Sequence, residues 1–266
     1  MVIIGEKINS TIKSVREAIE TGNFQYIQEL ALKQCKAGAD YIDVKAGMFY
    51  DDEASRLEWL VNIIQEVTNI PMSLDSPNAK ALEKALKVYK NGKPIINSIT
   101  AEKERYNSIL PLVLEYNTSI IALCMDDNGM PETVDERLNI SRRLIDSLTR
   151  KGISLNDIYI DPMVRPIGTG FDYGIIALET IRRIRADYPE IHITCGLSNI
   201  SFGLPARKVF NQAFLISAMN AGLDCPILDP LDKKLMAFLF ATEALLGNDE
   251  YCMNFLTKYR EGAFDT

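Results

Sequence analysis

Histidine is almost absent from this 266-residue chain, which contains one, and its five cysteines lack the CxxC spacing of zinc sites. The residues concerned are His192 and Cys35, Cys124, Cys195, Cys225 and Cys252. An odd number of scattered cysteines predicts reduced thiols, a cytoplasmic location and no bound metal. The chain also lacks a GxSxG elbow and any cysteine placed with a histidine, so we do not expect a triad hydrolase.

Clusters of basic residues and long apolar runs are absent as well. Lys+Arg 29 against Asp+Glu 36 gives a net charge of −7, which argues against a nucleic-acid partner. No apolar run approaches the ~18 residues that a bilayer crossing needs, and the opening MVIIGEKIN does not resemble a signal peptide. We therefore expect no membrane segment and a ligand that is a small molecule or a protein.

Short β-branched runs alternate with amphipathic stretches along the whole chain. The predicted strands are Val2–Gly5, Tyr41–Lys45, Pro71–Leu74, Pro94–Ile96, Ser119–Met125, Ile158–Ile160, His192–Gly196 and Pro226–Leu228. The predicted helices are Phe24–Ala37, Glu53–Thr68, Pro77–Tyr89, Tyr106–Tyr116, Val134–Lys151, Tyr173–Asp187, Ala206–Ala221 and Leu231–Leu246. Eight such units predict an α/β protein with one domain, residues 1–266, folded as a (β/α)8 TIM barrel. An open doubly wound sheet is less favoured because no GxGxxG follows the first strand.

Carboxylates and carboxamides close most of these strands, where the active site of a TIM barrel lies. In Asp75-Ser76-Pro77 the serine is the better N-cap and the proline suits the first helical position, which leaves Asp75 for a ligand. For Asp161 and for the asparagines at other strand ends, a capping or turn role remains open beside a ligand-binding one.

Five segments, in this order, resemble those of the pterin-binding methyltransferases that move a methyl group between methyltetrahydrofolate and a corrinoid protein. They are Ile3–Asn9, Leu74–Ser76, Ile96–Ser98, Tyr159–Pro162 and Gly196–Ser201. The resemblance spans nearly the whole chain. It implies a TIM barrel, a homodimer, tetrahydrofolate or 5-methyltetrahydrofolate as substrate, and cobalamin carried by a partner corrinoid protein, with the direction of transfer open.

The resemblance also implies which residues bind the pterin and act on it. The binding residues expected from it and from the strand ends are Glu6, Asp43, Lys45, Asp75, Asn97, Met125, Asp161, Gly196, Ser198 and Asn199. Carboxylates can accept the paired N–H donors of a pterin, and a carboxamide can both donate and accept. The catalytic residues implied are Asn199, which would hydrogen-bond N5 as charge develops there, and Asp161, which would belong to a proton network.

Lys45 departs from the family pattern, which commonly has asparagine two residues beyond the strand-two aspartate. Strand alternation places Asp43 and Lys45 on one side of the sheet. One interpretation is therefore a local ion pair between them. The other places the ammonium group at the cleft mouth, near the folate tail or the approach of the corrinoid.

Two other functions remain as alternatives. A dihydropteroate synthase would need cations at the late strands to hold pyrophosphate, whereas the segment after strand eight begins Asp229-Pro230-Leu231-Asp232 before Lys233-Lys234. A non-catalytic pterin-binding barrel would bind folate without turnover.

Overall fold

The computed structural model describes residues 1–264 and contains a closed barrel of eight parallel strands. Each strand pairs with its sequence neighbours, and β1 closes the ring on β8. This confirms the predicted TIM barrel. The strands are β1 Ile4–Asn9, β2 Tyr41–Lys45, β3 Met72–Asp75, β4 Ile95–Thr100, β5 Ser119–Leu123, β6 Ile158–Asp161, β7 His192–Gly196 and β8 Cys225–Leu228.

Ten α-helices surround the barrel within the described residues. They are α1 Lys13–Thr21, α2 Phe24–Lys36, α3 Glu53–Gln65, α4 Ala79–Val88, α5 Lys103–Glu115, α6 Val134–Arg150, α7 Tyr173–Asp187, α8 Arg207–Ala221, α9 Lys233–Leu245 and α10 Met253–Arg260. Helices α1 and α10 are not among those that the apolar pattern of the sequence predicts. α10 buries none of its side chains, and α1 has an apolar face of only three buried residues, Val15, Ala18 and Ile19, so both helices are short signals in the sequence. No helix among residues 1–264 is long and apolar enough to cross a membrane.

The apolar core has two parts. The larger part lies between strands and helices, where side chains such as Ile42, Val44 and Leu74 are fully buried. A smaller cluster comes from strands alone and fills the barrel interior below the strand ends: Ile4, Ile95, Ile121, Tyr159, Cys225 and Ile227. Since this end of the interior is filled with apolar side chains, the polar residues farther along the strands line a cleft at the opposite end.

Strand and helix limits differ from the prediction where polar residues end the strands. β1 runs on to Asn9 and β4 to Thr100, so Glu6 and Asn97 lie within strands instead of following them. The N-cap of α4 is Asn78, whose side chain accepts from the Lys80 N–H, and not Ser76 as expected. Ser76 Oγ instead accepts from the Asn78 N–H at 3.0 Å. Asp75 takes no part in this cap, as the sequence analysis expected.

Candidate active site

A cleft of about 430 Å³ opens at the carboxyl ends of the strands. Its lining residues are Glu6, Asn9, Asp43, Lys45, Asp75, Pro77, Asn97, Ser98, Arg105, Leu123, Asp161, Met163, Gly196, Ser198, Asn199 and Ile227. The cleft brings together all the residues that the sequence analysis selected except Met125. No group of three or more His, Cys, Asp or Glu side chains in the described part of the chain is arranged to hold a metal ion.

Met125 does not line the cleft, because β5 ends two residues earlier than predicted. Leu123 is the last residue of that strand and lines the cleft instead. The Met125 N–H donates to the Leu123 carbonyl at 2.7 Å, and the Met125 carbonyl accepts from the Ala101 N–H at 2.8 Å. The chain therefore turns away from the cleft before it reaches Met125.

Lys45 pairs with Asp75, and not with Asp43 as one interpretation of the sequence expected. Lys45 Nζ lies 2.7 Å from Asp75 Oδ2. The two residues are register partners on adjacent strands, as are Asp43 and Ser73. Side chains in register on adjacent parallel strands lie on the same side of the sheet, so Lys45 meets Asp75 across the ladder. Lys45 lines the cleft. A position at the cleft mouth, near the folate tail or the approach of the corrinoid, remains a prediction.

Asp43 lies deeper in the same part of the cleft and is almost fully buried. Its Oδ1 accepts from Ser73 Oγ at 2.7 Å and from Asn97 Nδ2 at 3.2 Å. Burial and the negative charge of Asp75 raise the pKa of Asp43 to about 7, against these hydrogen bonds and Lys45. Burial also raises the pKa of Asp75, and the ion pair with Lys45 opposes that rise.

Asp161 ends β6 on another side of the cleft. Its Oδ1 accepts from the Met163 N–H at 2.7 Å. Burial raises its pKa to about 7, although this hydrogen bond and the charge of Arg137 lower it. Asp161 can therefore hold or release a proton near neutral pH.

Glu6 of β1 is the third carboxyl group of the cleft with such a pKa. Burial and the nearby charge of Asp229 raise the pKa of Glu6 to about 7, against the charge of Lys7. Lys7 itself forms an ion pair with Asp229, with Nζ 3.0 Å from Oδ2. Two acid–base candidates, Glu6 and Asp161, thus line one cleft, and the sequence could not show that both would titrate near neutrality.

Asn199 stands on the short 3-10 turn Leu197–Ser201 that follows β7. Its side chain is exposed to the cleft and lies close to the backbone of Gly196, where a Cβ atom would come within 3.1 Å of Asn199 Nδ2. Glycine at position 196 therefore leaves room for the amide. Arg207 of α8 fixes the same turn, since its Nη2 donates to the Ser198 carbonyl at 2.7 Å.

Arg105 is a cleft residue that the sequence does not predict, because the apolar pattern places the start of the helix at Tyr106. α5 begins at Lys103, three residues earlier than predicted, and this places Arg105 in its first turn, at the cleft. Arg105 Nε and Nη2 donate to the Ser98 carbonyl, each at 3.1 Å. The feature of the sequence that could have indicated a cleft residue is a basic side chain so soon after Asn97 of the fourth strand.

A second compartment of about 350 Å³ adjoins the cleft and shares Glu6, Asn9 and Ser198 with it. Two ion pairs line it: Lys7 with Asp229, and Lys208 with Asp232 at 3.1 Å. Asn9 and Arg207 also contribute to its lining, and neither was among the predicted binding residues.

Carboxylate and carboxamide side chains thus meet at the carboxyl ends of the strands of a TIM barrel. The family model of pterin binding enzymes matches residues 5–229 of the chain. The chain belongs to this family. It is 38% identical, over 98% of its length and 97% of the relative's, to a methylcorrinoid:tetrahydrofolate methyltransferase of Eubacterium limosum. The methyltransferase resemblance predicted from the strand-end segments is thereby confirmed.

Other similar proteins are more distant. A methionine synthase of Mycobacterium tuberculosis is 31% identical over 86% of the chain, which spans only 20% of that enzyme. Among solved structures, dihydropteroate synthases of Vibrio fischeri and Yersinia pestis superpose with TM-scores of 0.69 and 0.67. They cover 92% of this chain and 93% and 94% of their own, at 18% and 15% identity, so they show a common fold.

Proposed function

We propose that the protein is a methyltransferase that moves a methyl group between the cobalt of a corrinoid protein and N5 of tetrahydrofolate. The observation that carries this proposal is the cleft in which Asp75, Asn97, Asp161 and Asn199 meet. The name of the relative that is 38% identical favours transfer from methylcorrinoid to tetrahydrofolate, and the same site serves both directions.

The pterin ring would be held by side chains whose hydrogen-bonding capacity matches its edge. Asp75, which forms an ion pair with Lys45, accepts from the exocyclic amino group and the adjacent ring N–H. The Asn97 amide already donates its Nδ2 to Asp43, so its carbonyl oxygen is left to accept from the ligand. Asp161 supplies a further group that can donate or accept according to its protonation.

Methyl transfer at N5 requires one group that exchanges the N5 proton and another that stabilises the charge developing on N5. When tetrahydrofolate is methylated, the N5 electron pair forms the new bond to carbon, the cobalt–carbon pair stays on cobalt, and the N5 proton leaves. Asp161 or Glu6, each with a pKa near 7, can take that proton. In the reverse direction the same group protonates N5. Asn199 cannot act as a general acid, so its role is a hydrogen bond that strengthens in the transition state.

The corrinoid protein would dock on the rim of the cleft, where three aromatic side chains are exposed. Tyr50, Phe171 and Phe202 lie on the loops after β2, β6 and β7 and are 79%, 96% and 67% exposed. Exposed aromatic residues around a cleft are typical of protein interfaces. A rim position also lets the partner bring its cobalt to N5.

A homodimer and a cytoplasmic location are further parts of the proposal. Apolar side chains of α7 and α8 that are exposed in the single chain, Ile175, Val209, Phe210 and Ile216, offer a surface for a second copy. The free cysteines fit a reducing compartment.

Dihydropteroate synthase remains the second candidate because its barrel superposes on this one. It is less favoured because Lys7 and Lys208, which could hold pyrophosphate, are paired with Asp229 and Asp232. A barrel that binds pterin without turnover is the third candidate.

One anaerobic experiment separates the three candidates. Cob(I)alamin is mixed with 5-methyltetrahydrofolate, and its absorbance is followed with and without the protein. Protein-dependent loss of cob(I)alamin supports methyl transfer. Folate binding without that loss favours the non-catalytic barrel, and consumption of a pterin pyrophosphate with aminobenzoate favours the synthase.

A further inference from the structure

The part of the cleft formed by β2 and β3 holds two carboxyl groups close together and one lysine. The negative charge of Asp75 acts on Asp43, which is buried, and Asp75 itself is half-buried. Two carboxylates in such a place resist carrying two charges at once, so one of them tends to keep a proton near neutral pH. Which one keeps it decides what the cleft can bind, because a protonated carboxyl group donates from one oxygen and cannot accept one N–H on each of its two oxygens.

The geometry points to Lys45 as a positioning residue that keeps Asp75, rather than Asp43, in the charged form that accepts the pterin. This inference rests on the proposed function and says how the carboxylate that binds the pterin is kept charged. Lys45 Nζ reaches Asp75 Oδ2 at 2.7 Å, whereas the hydrogen bonds to Asp43 Oδ1 come from Ser73 and Asn97. The Lys45 ammonium group therefore contacts Asp75 directly, whereas it acts on Asp43 only through its charge.

Every charged group that acts on this pair is consistent with that assignment. Asp43 comes from β2 beside Lys45, and Glu53 from α3 adds a further negative charge near the ammonium group. Arg105 of α5 acts on Asp75 as a second, more distant cation. Burial lowers the pKa of Lys45, but Asp75, Asp43 and Glu53 more than offset that effect and raise it. Lys45 thus stays charged throughout the range in which the carboxyl groups titrate.

The test compares binding of 5-methyltetrahydrofolate at about pH 6.5 and about pH 8.5 by titration calorimetry. Lys45→Met should lose about tenfold or more in affinity at the lower pH, and most of that loss should disappear at the higher pH. Lys45→Arg, which keeps the charge, should bind nearly as wild type does at both. Lys84→Met removes a lysine that pairs with Glu58 at 2.9 Å outside the cleft and should change neither value. An equal loss at both pH values, or no loss, overturns the inference.

A second measurement separates this inference from the proposed function. Infrared difference spectra of the ligand-free protein report protonated carboxyl groups directly. At neutral pH, Asp43→Asn should abolish the protonated-carboxyl signal of this pair when position 45 is lysine or arginine, because the remaining Asp75 is then charged. The signal should persist when Asp43→Asn is combined with Lys45→Met, because Asp75 then keeps the proton. Failure of the wild type to bind folate would count against the proposed function, whereas loss of the carboxyl signal in the Lys45→Met, Asp43→Asn double variant would overturn the role of Lys45. Lys45→Gln serves the same comparison if the methionine variant folds poorly.

Discussion

Asn97 Nδ2 donates to Asp43 Oδ1 at 3.2 Å although the two residues belong to β4 and β2, with β3 between them. The bond fixes the orientation of the Asn97 amide, because Asp43 Oδ1 also accepts from Ser73 Oγ and is therefore an acceptor whether or not the other oxygen carries a proton. A buried residue deep in the cleft thereby determines which atom Asn97 presents to a ligand. We therefore expect Asn97 to contact the ligand and Asp43 to hold the Asn97 side chain in its orientation.

Folate affinity should depend on Asp75. Asp75→Ala removes the acceptor of two ring donors and leaves Lys45 without its ion-pair partner, so we expect a loss of about 1–3 kcal/mol or more in binding. Titration calorimetry with 5-methyltetrahydrofolate measures it. Asp187→Ala, which breaks a surface pair with Arg142, is the matched control and should bind normally. Wild-type affinity in Asp75→Ala would remove this residue from the site.

Asn199 should matter more for rate than for binding, because its hydrogen bond strengthens only as charge develops on N5. Asn199→Ala should lower the single-turnover rate of methyl transfer by more than about tenfold, while the folate Kd changes little. Asn248→Ala, an exposed amide near the end of α9, provides the control. A rate within about twofold of wild type, less than ~0.5 kcal/mol in the barrier, would contradict the transition-state role.

The barrel could be predicted from the sequence because its strands are separate apolar runs and its helices mostly carry wide apolar faces. The contacts that individual side chains make could not be predicted in this way. Alternation along β2 placed Lys45 beside Asp43, but its contact is set by register with Asp75 on the next strand. Two parallel strands distant in sequence carry no local signal of their register.

Errors at strand ends explain the remaining differences in the site. Met125 was included and Arg105 was left out because β5 ends earlier, and α5 begins earlier, than the apolar pattern indicates. At these boundaries hydrogen bonds of the loop backbone, such as that between Ala101 and Met125, compete with hydrophobic periodicity. Burial of Asp161 and Glu6, and therefore their pKa values, depends on packing from several strands.

Docking of the corrinoid protein should depend on the exposed aromatic rim. Phe171→Ser and Phe202→Ser should each raise the KM for a methylated corrinoid protein about fivefold or more and leave the folate Kd unchanged. Free methylcobalamin as substrate should show no such effect. Tyr251→Ser, an equally exposed aromatic residue before α10, is the control. An unchanged KM in both rim variants would place the docking surface elsewhere.

The assembly should be a homodimer with twice the 29.9 kDa mass of the chain. Light scattering at micromolar concentration measures it. Ile175→Glu together with Val209→Glu should yield monomers, because two charges would be buried on the proposed contact face. Leu245→Glu alters an exposed apolar residue of α9 and should leave the mass unchanged. A wild-type monomer would contradict the dimer itself, and dimers of the double variant would contradict this location.

The pH dependence of methyl transfer should reverse with direction, because one carboxyl group has to be charged in one direction and protonated in the other. If Asp161, with its pKa of about 7, exchanges the N5 proton, the rate toward methyltetrahydrofolate should rise through about pH 7, and the reverse rate should fall there. Asp161→Asn should abolish that limb in both directions, whereas Asp135→Asn, an exposed control, should keep it.

The same shift predicts how stability varies with pH and checks the assignment without any substrate. Because burial holds the folded pKa of Asp161 above its ordinary value, the folded protein keeps a proton that the unfolded chain loses between about pH 4 and pH 7. This carboxyl group therefore lowers the free energy of unfolding as pH rises through that window. Asp161→Asn should gain stability relative to wild type across it, as measured by denaturant unfolding. A stability difference that does not vary with pH would show that Asp161 is ionised in the folded protein. In the rate measurements, a pH-dependent limb that survives in Asp161→Asn but disappears in Glu6→Gln would show that Glu6 exchanges the proton.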